Sequence, residues 1–425
     1  MEQTPKANRV HIGFFGRCNA GKSTLINMLT DQPVSLVSEV AGTTTDPVSK
    51  SMEILPLGPV VITDTAGIDD TSELGALRIE KSEEIIKKIN LAVYVLRNDE
   101  APTADDMMWL NKLKQNNVPI ALFINKINAF DSESARDNDS NGNDTNLNYV
   151  DAYPDLSAIA TVVGSTDFTS NRDRLTLLDL LGGLTPLDVE GEQSLLQGLV
   201  DPGDTIILVC PIDSAAPKGR LILPQVQTIR EILDHKGLAL VCQTEELPTM
   251  LSKLSQKPKL VITDSQAFEA VNALTPADIA LTSFSILMAR FKGKLQDLVT
   301  GVKALNNLKP GARVLISEGC THRRQCDDIG TVKIPMWLKK KGHTDLQLEF
   351  TSGGAFPKDV SGYDLIIHCG ACMLTRREVL RRIDCAVVQG TPIVNYGVLI
   401  ASLHGILERA ISPFVDELDR KGFEC

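Results

Sequence analysis

The stretch VHIGFFGRCNAGKSTLINML, residues 10–29, decides how the chain begins to fold. Its first seven residues are an apolar run of strand length, and its last eight space Leu and Ile as one helix face does. Between them GRCNAGKS (16–23) fits G-x-x-x-x-G-K-[ST] in the strand–turn–helix context that gives this motif meaning. Gly16 and Gly21 let backbone N–H groups close on anionic oxygens, helped by Asn19, Ala20 and the helix N-terminus. Lys22 is expected on the β- and γ-phosphates of a nucleotide, and Ser23 on magnesium, with Thr24 beside it.

Working outward, short β-rich runs alternate with helical patterns, which predicts an α/β protein on largely parallel sheets. Three blocks are expected: 1–190, a phosphate-binding domain with strands VHIGFFG, VVITD, LAVYVL, IALFIN and IATVVG; 195–272, a small α/β unit after DPGD; and 273–425, again α/β. The Ser-, Asn- and Asp-rich DSESARDNDSNGNDTN (131–146) has no large apolar residue to join a core and reads as a surface loop. A net charge of −11 argues against a broad nucleic-acid or lipid-binding face. No apolar run approaches the ~18 residues of a membrane span. Nine cysteines without an export signal predict metal binding or burial in a reducing cytoplasm rather than disulfides.

The phosphate loop does not stand alone. AGTTTD (41–46) lies where a switch threonine completes the magnesium shell, and Thr44 is the expected residue. DTAG (64–67) follows VVIT, placing Asp64 toward magnesium and the Gly67 N–H toward a γ-phosphate. NKIN (125–128) follows IALFI, with Asn125, Lys126 and Asn128 reading a base; Ser165, just past IATVVG, joins the nucleotide set. In this order the motifs resemble those of the small GTPases, especially the TrmE/Era group, which implies GTP, Mg2+ and GTP hydrolysis. Two departures stand out. Asn128 replaces the group's Asp, so one carboxylate that accepts two hydrogen bonds from guanine becomes an amide with one acceptor. Ile68 occupies the position of a water-orienting Gln, leaving Glu73 as a candidate for that task. In the TrmE-like group an Asn at the position of Asn19 helps bind potassium beside the phosphates, which implies K+-stimulated hydrolysis.

The third block carries soft ligands in two places. LIIHCGACML (365–374) supplies His368, Cys369 and Cys372; SEGCTHRRQCDD (317–328) supplies Cys320, His322, Cys326 and Asp327. Each follows a predicted strand, so both loops should leave one end of a parallel sheet, where ligand sites form. Spacing alone leaves zinc, an iron–sulfur cluster and inert burial open.

The whole chain, with APKGRLILPQVQ (216–227) in its middle block, is similar to the GTPase family of the FeFe-hydrogenase maturation factors. The resemblance implies a dimerisation domain forming a homodimer, and an iron–sulfur domain holding a 4Fe–4S cluster through Cys320, Cys369 and Cys372. An exchangeable fourth ligand from His322, His368 or Asp327 is preferred to Cys326. It further implies a di-iron precursor as cargo, and the radical-SAM maturases HydE and HydG and apo FeFe-hydrogenase as partners. A ribosome- or RNA-associated TrmE/Era-like GTPase with structural zinc is the alternative.

Overall fold

The computed structural model describes residues 9–30, 48–54, 57–65, 82–126, 152–166, 171–184, 194–212, 221–319, 328–353 and 355–418, and its chain divides into two compact units, Met1–Glu190 and Gly191–Cys425. No helix among the described residues is long and apolar enough to cross a membrane.

The first unit is built on six strands: β1 (Val10–Phe15), β2 (Val48–Ile54), β3 (Gly58–Asp64), β4 (Leu91–Arg97), β5 (Ile120–Asn125) and β6 (Val162–Thr166). Their order is β2-β3-β1-β4-β5-β6, with β2 antiparallel to β3 and every other pairing parallel. The central strands are unbroken apolar runs because both sheet faces are covered. The two-residue period of a strand then sorts neighbours to opposite sides. Phe14, Val93 and Phe123 pack with Leu25 and Leu181 from the helices Lys22–Thr30 and Asn171–Leu184. Phe15, Tyr94 and Leu122 pack with Trp109 and Leu110 from the helix Ala104–Gln115. That helix starts on a capping box: Thr103 Oγ1 accepts from the Asp106 N–H and the Thr103 N–H donates to Asp106 Oδ2. All five expected strands are present, and β2 adds a sixth. The segment 131–146 lies outside the described residues.

The second unit contains two four-stranded parallel sheets. The first has β7 (Thr205–Val209), β8 (Leu238–Cys242), β9 (Leu260–Thr263) and β10 (Ala280–Ser283), in the order β10-β9-β7-β8. The second has β11 (Arg313–Ser317), β12 (Gln347–Thr351), β13 (Leu365–His368) and β14 (Ile393–Asn395), in the order β12-β11-β13-β14. The expected boundary at 272/273 is displaced, because β10 pairs with β9 and completes the first sheet. The two sheets share one core running from Leu195 to Leu418. Arg409 laces the end of the chain to the segment before β10, donating to the carbonyls of Asn272, Thr275, Pro276 and Ile279. Thr282 Oγ1 of β10 donates to the Ala410 carbonyl at 2.9 Å. The helix Leu295–Asn306 rests against β14 at Gly301, where a Cβ would stand 1.9 Å from the Ile393 carbonyl oxygen.

Candidate functional site

Two constellations carry chemistry, one in each unit. In the first, the loop from Gly16 to Gly21 joins β1 to the helix Lys22–Thr30. Gly16 has φ +134°, and a Cβ there would meet the Val95 carbonyl oxygen at 2.4 Å, so only glycine fits. Asn19 holds φ +60°, a left-handed conformation that Asn tolerates better than most side chains. Ala20 is buried, while Ser23 and Thr24 are exposed in the first helical turn. Lys22 is buried and folds its ammonium over the loop, donating to the carbonyls of Gly16 (2.9 Å) and Arg17 (2.8 Å).

Asp64 ends β3 directly beside Phe14 of β1, so parallel pairing brings it to the mouth of the loop. Burial raises its carboxyl above the usual range, and the Lys22 ammonium opposes that rise. Its Oδ1 is buried with no hydrogen-bond partner among the described residues. A buried carboxylate oxygen of that kind fits a hydrated magnesium ion, with the Ser23 hydroxyl as second donor. At the far side Asn125 ends β5 and donates from Nδ2 to the Ala20 carbonyl at 3.0 Å, tying the end of β5 to the phosphate loop. Lys126 follows it, and Ser165 pairs with Ile124 along β6. Thr44, Gly67, Glu73 and Asn128 lie outside the described residues. Arg17 was invisible as a site residue. Its guanidinium reaches Glu100 at 2.7 Å and Asp106 at 3.3 Å, and Asp106 is fully buried and accepts from the Tyr94 hydroxyl at 2.9 Å. The phosphate loop is thereby anchored to the capping box of the helix Ala104–Gln115.

The second constellation lies at the C-terminal ends of β11 and β13. These strands are adjacent and parallel, with Ser317 opposite His368. Because β12 lies on one side of β11 and β13 on the other, the strand order reverses between them, the place where open α/β sheets bind ligands. The Cys369 sulfur accepts from the Gly319 N–H at 3.0 Å and from the Ala371 N–H at 3.4 Å. Burial pushes this thiol up, and the two N–H groups pull it back toward the thiolate. Ala371 takes φ +55° at the turn between the two cysteines. Beneath that turn Lys292 sends its ammonium to the carbonyls of Ala371, Cys372 and Leu374. Burial lowers its pKa to about 8, against the pull of the Cys372 and Cys369 sulfurs.

His368 is placed differently from a metal ligand. Its Nδ1 is 2.9 Å from the Cys369 carbonyl oxygen and its Nε2 is 3.2 Å from Arg382 Nη1. Both nitrogens are thus engaged by the scaffold, and burial with the nearby Arg382 lowers the pKa to about 4. The fully buried Arg382 also donates to Glu378 Oε1 (2.8 Å) and the Gly353 carbonyl (2.6 Å), so RREVLRR (376–382) is partly built into the core. Among the described residues no three His, Cys, Asp or Glu side chains group closely enough to hold a metal. Cys320, His322, Cys326 and Asp327 lie outside the described residues. The donor set that is described, two cysteines with N–H groups aimed at one sulfur, suits a cluster-ligating thiolate.

Comparison with known proteins separates the two units. Residues 11–126 match the family model of 50S ribosome-binding GTPases. Residues 195–293 match the hydrogen maturase F dimerization domain, and 296–413 its tetramerization domain. The chain belongs to the hydrogen maturase F family. The family's dimerization segment takes in β10 and the helix Phe284–Lys292, in agreement with the strand pairing and not with a boundary at 272. Dimerization and tetramerization domains together imply self-association.

Among curated proteins, the tRNA modification GTPase MnmE of Heliobacterium modesticaldum is 36% identical over 112 residues, 26% of this chain and 23% of that protein. GTPase Der of Campylobacter curvus is 34% identical over 114 residues, 27% of this chain and 24% of that one. The chain spans about a quarter of the length of the curated relatives it matches. The crystal structure of Aquifex aeolicus Era bound to GDP and AlF4− is 20% identical, with a TM-score of 0.33, covering 54% of this chain and 91% of that one.

Proposed function

We propose that the chain is a GTP-hydrolysing scaffold of FeFe-hydrogenase maturation, holding a 4Fe–4S cluster and passing a di-iron precursor to apo-hydrogenase. The observation that carries the reading is the Gly319 N–H on the Cys369 sulfur: the residue just before Cys320 touches a thiol fifty positions further along. Cys320, Cys369 and Cys372 are the thiolate ligands, and the fourth iron takes an exchangeable donor such as His322 or Asp327. A cluster held by three thiolates supplies one iron with an open position for an incoming group. The chain's own contribution is to hold the sulfurs: Gly319 and Ala371 donate to Cys369, and His368 braces that residue's carbonyl from the protein side.

In the GTPase unit Lys22 and the loop N–H groups hold the phosphates, Ser23, Thr44 and Asp64 hold magnesium, and Gly67 senses the γ-phosphate. Potassium beside Asn19 supplies the charge that other GTPases obtain from an arginine, an effect of roughly 10³–10⁵ in rate. Order and release of the switch segments around the γ-phosphate then gate partner exchange with HydE, HydG and the hydrogenase. Anaerobic reconstitution tests the reading. Wild type should take up iron and sulfide and activate apo-hydrogenase, and Cys369→Ser and Cys320→Ala should do neither. Zinc in place of iron and sulfide, with equal hydrolysis in sodium and potassium, would return the chain to the ribosome-associated alternative.

A further inference from the structure

The helix Phe284–Lys292 ends on a buried ammonium. Lys292 is 2% exposed, and its three N–H bonds are used on three carbonyls of one short turn: Ala371 at 3.3 Å, Cys372 at 3.1 Å and Leu374 at 2.8 Å. Arg382, the other buried cation among the described residues of this unit, has a carboxylate partner in Glu378. Lys292 has none among the described residues; its acceptors are neutral carbonyls. A buried charge without a counter-ion is a costly arrangement, and an open helix end would have let a lysine reach water. Here it stays beside the two thiols.

We propose that Lys292 is the built-in counter-charge of the thiolate site, offsetting the negative charge that Cys369, Cys372 and the cluster bring into a low-dielectric pocket and holding the cluster's reduction potential up. The inference rests on the iron–sulfur reading above. Its physical basis is that each thiolate, and each electron added to the cluster, puts negative charge within reach of a fixed cation that water screens poorly. The reduced state carries more negative charge, so the ammonium favours it more. The position of Lys292 adds a structural consequence. It closes the segment matched by the dimerization family model, while its acceptors lie in the segment matched by the tetramerization model. One side chain therefore ties the last helix of the dimerisation segment to the loop that carries the ligands.

The test uses the full chain with Lys292→Gln, Lys292→Met and Lys292→Arg, reconstituted anaerobically beside wild type. Midpoint potential is read by redox titration followed by electron paramagnetic resonance, and iron per chain by chemical analysis. Gln retains donors without charge, so a lower midpoint in Gln and Met with a value near wild type in Arg is expected. A loaded Gln variant with an unmoved midpoint would reduce Lys292 to a neutral peg under the turn. If the Met variant fails to fold, the Gln and Arg pair still decides. A wild-type protein that takes up no iron and sulfide sinks the underlying reading, and this inference with it; a wild-type cluster with unmoved variants sinks this inference alone.

Discussion

Asn125 donates from its side-chain amide to the Ala20 carbonyl at 3.0 Å, across 105 residues of sequence. The bond joins the end of β5 to the phosphate loop and sets the two against each other. Losing it leaves the Ala20 carbonyl without that donor, a cost of about 1–3 kcal/mol if water does not replace it. Asn125→Ala should therefore weaken nucleotide binding roughly tenfold or more while leaving the second unit's unfolding unchanged. Titration with a fluorescent GDP analogue and calorimetric unfolding check both halves. Unaltered affinity would show the bond to be incidental.

Asp64 presents the opposite balance. A buried carboxylate oxygen without a hydrogen bond lowers stability until a cation is supplied. Asp64→Asn removes the charge and keeps the shape. The nucleotide-free variant should melt at or above the wild-type temperature, whereas magnesium-dependent GTP hydrolysis should fall by at least 100-fold. A variant that is less stable and still active would mean that Asp64 is structural.

How far these features could be read from the sequence follows from the range of the interactions. Gly16, Gly21 and Lys22 were legible because local spacing alone dictates their geometry. That the loops after β11 and β13 leave one edge was legible because adjacent parallel strands deliver their following loops to the same end. The strand β2 leaves no such mark: VSKSMEI is an antiparallel edge strand with little buried surface, so it lacks the apolar run of its neighbours. Lys292 and Arg382 were illegible for another reason. A lysine in the last turn of a helix, or an arginine three or four residues from a glutamate, has the pattern of a solvated surface. Only the path of the distant turns 369–375 and 351–353 shows that both are inside. The domain boundary slipped because β10 is four residues long and its pairing partner is its only distinguishing feature.

The cysteines of the first sheet in the second unit give a prediction in pH. Burial pushes the Cys210 thiol up to about 12 and Cys242 up to about 11. Both values lie above those of an unfolded thiol, so the unfolded chain loses its protons first as pH rises. Stability contributed by the neutral thiols is complete below about pH 8.5 and declines from there until the folded values are reached, at most by about 1.4 kcal/mol per pH unit for the buried Cys210. The melting temperature of the second unit should fall between about pH 9 and 11, less steeply in Cys210→Ala, whose cavity lowers it by a pH-independent amount. At pH 8 a small alkylating reagent should modify the exposed Cys18 long before Cys210. Cys210 labelled as fast as Cys18 would mean that the sheet opens readily.

Strand β8 is the edge of its sheet, and two of its side chains are not shielded: Leu238 is 57% exposed and Val241 43%. In the same unit, Val226 and Leu233 of the helix Leu223–Asp234 are 50% and 58% exposed. A bare edge strand flanked by apolar residues is a template for pairing with another chain, and an isolated copy would be prone to aggregation. The segment belongs to the family's dimerization domain, so a second copy of this chain is the natural occupant. Placing a lysine at an edge is how sheets discourage such pairing. The double variant Leu238→Lys, Val241→Lys should therefore reduce dimers by at least tenfold at micromolar concentration, with circular dichroism and GTP affinity unchanged. Light scattering behind size exclusion reads the mass directly. A variant of unchanged mass would move the contact to another face, and one that lost its circular dichroism would show that β8 needs its apolar residues to fold.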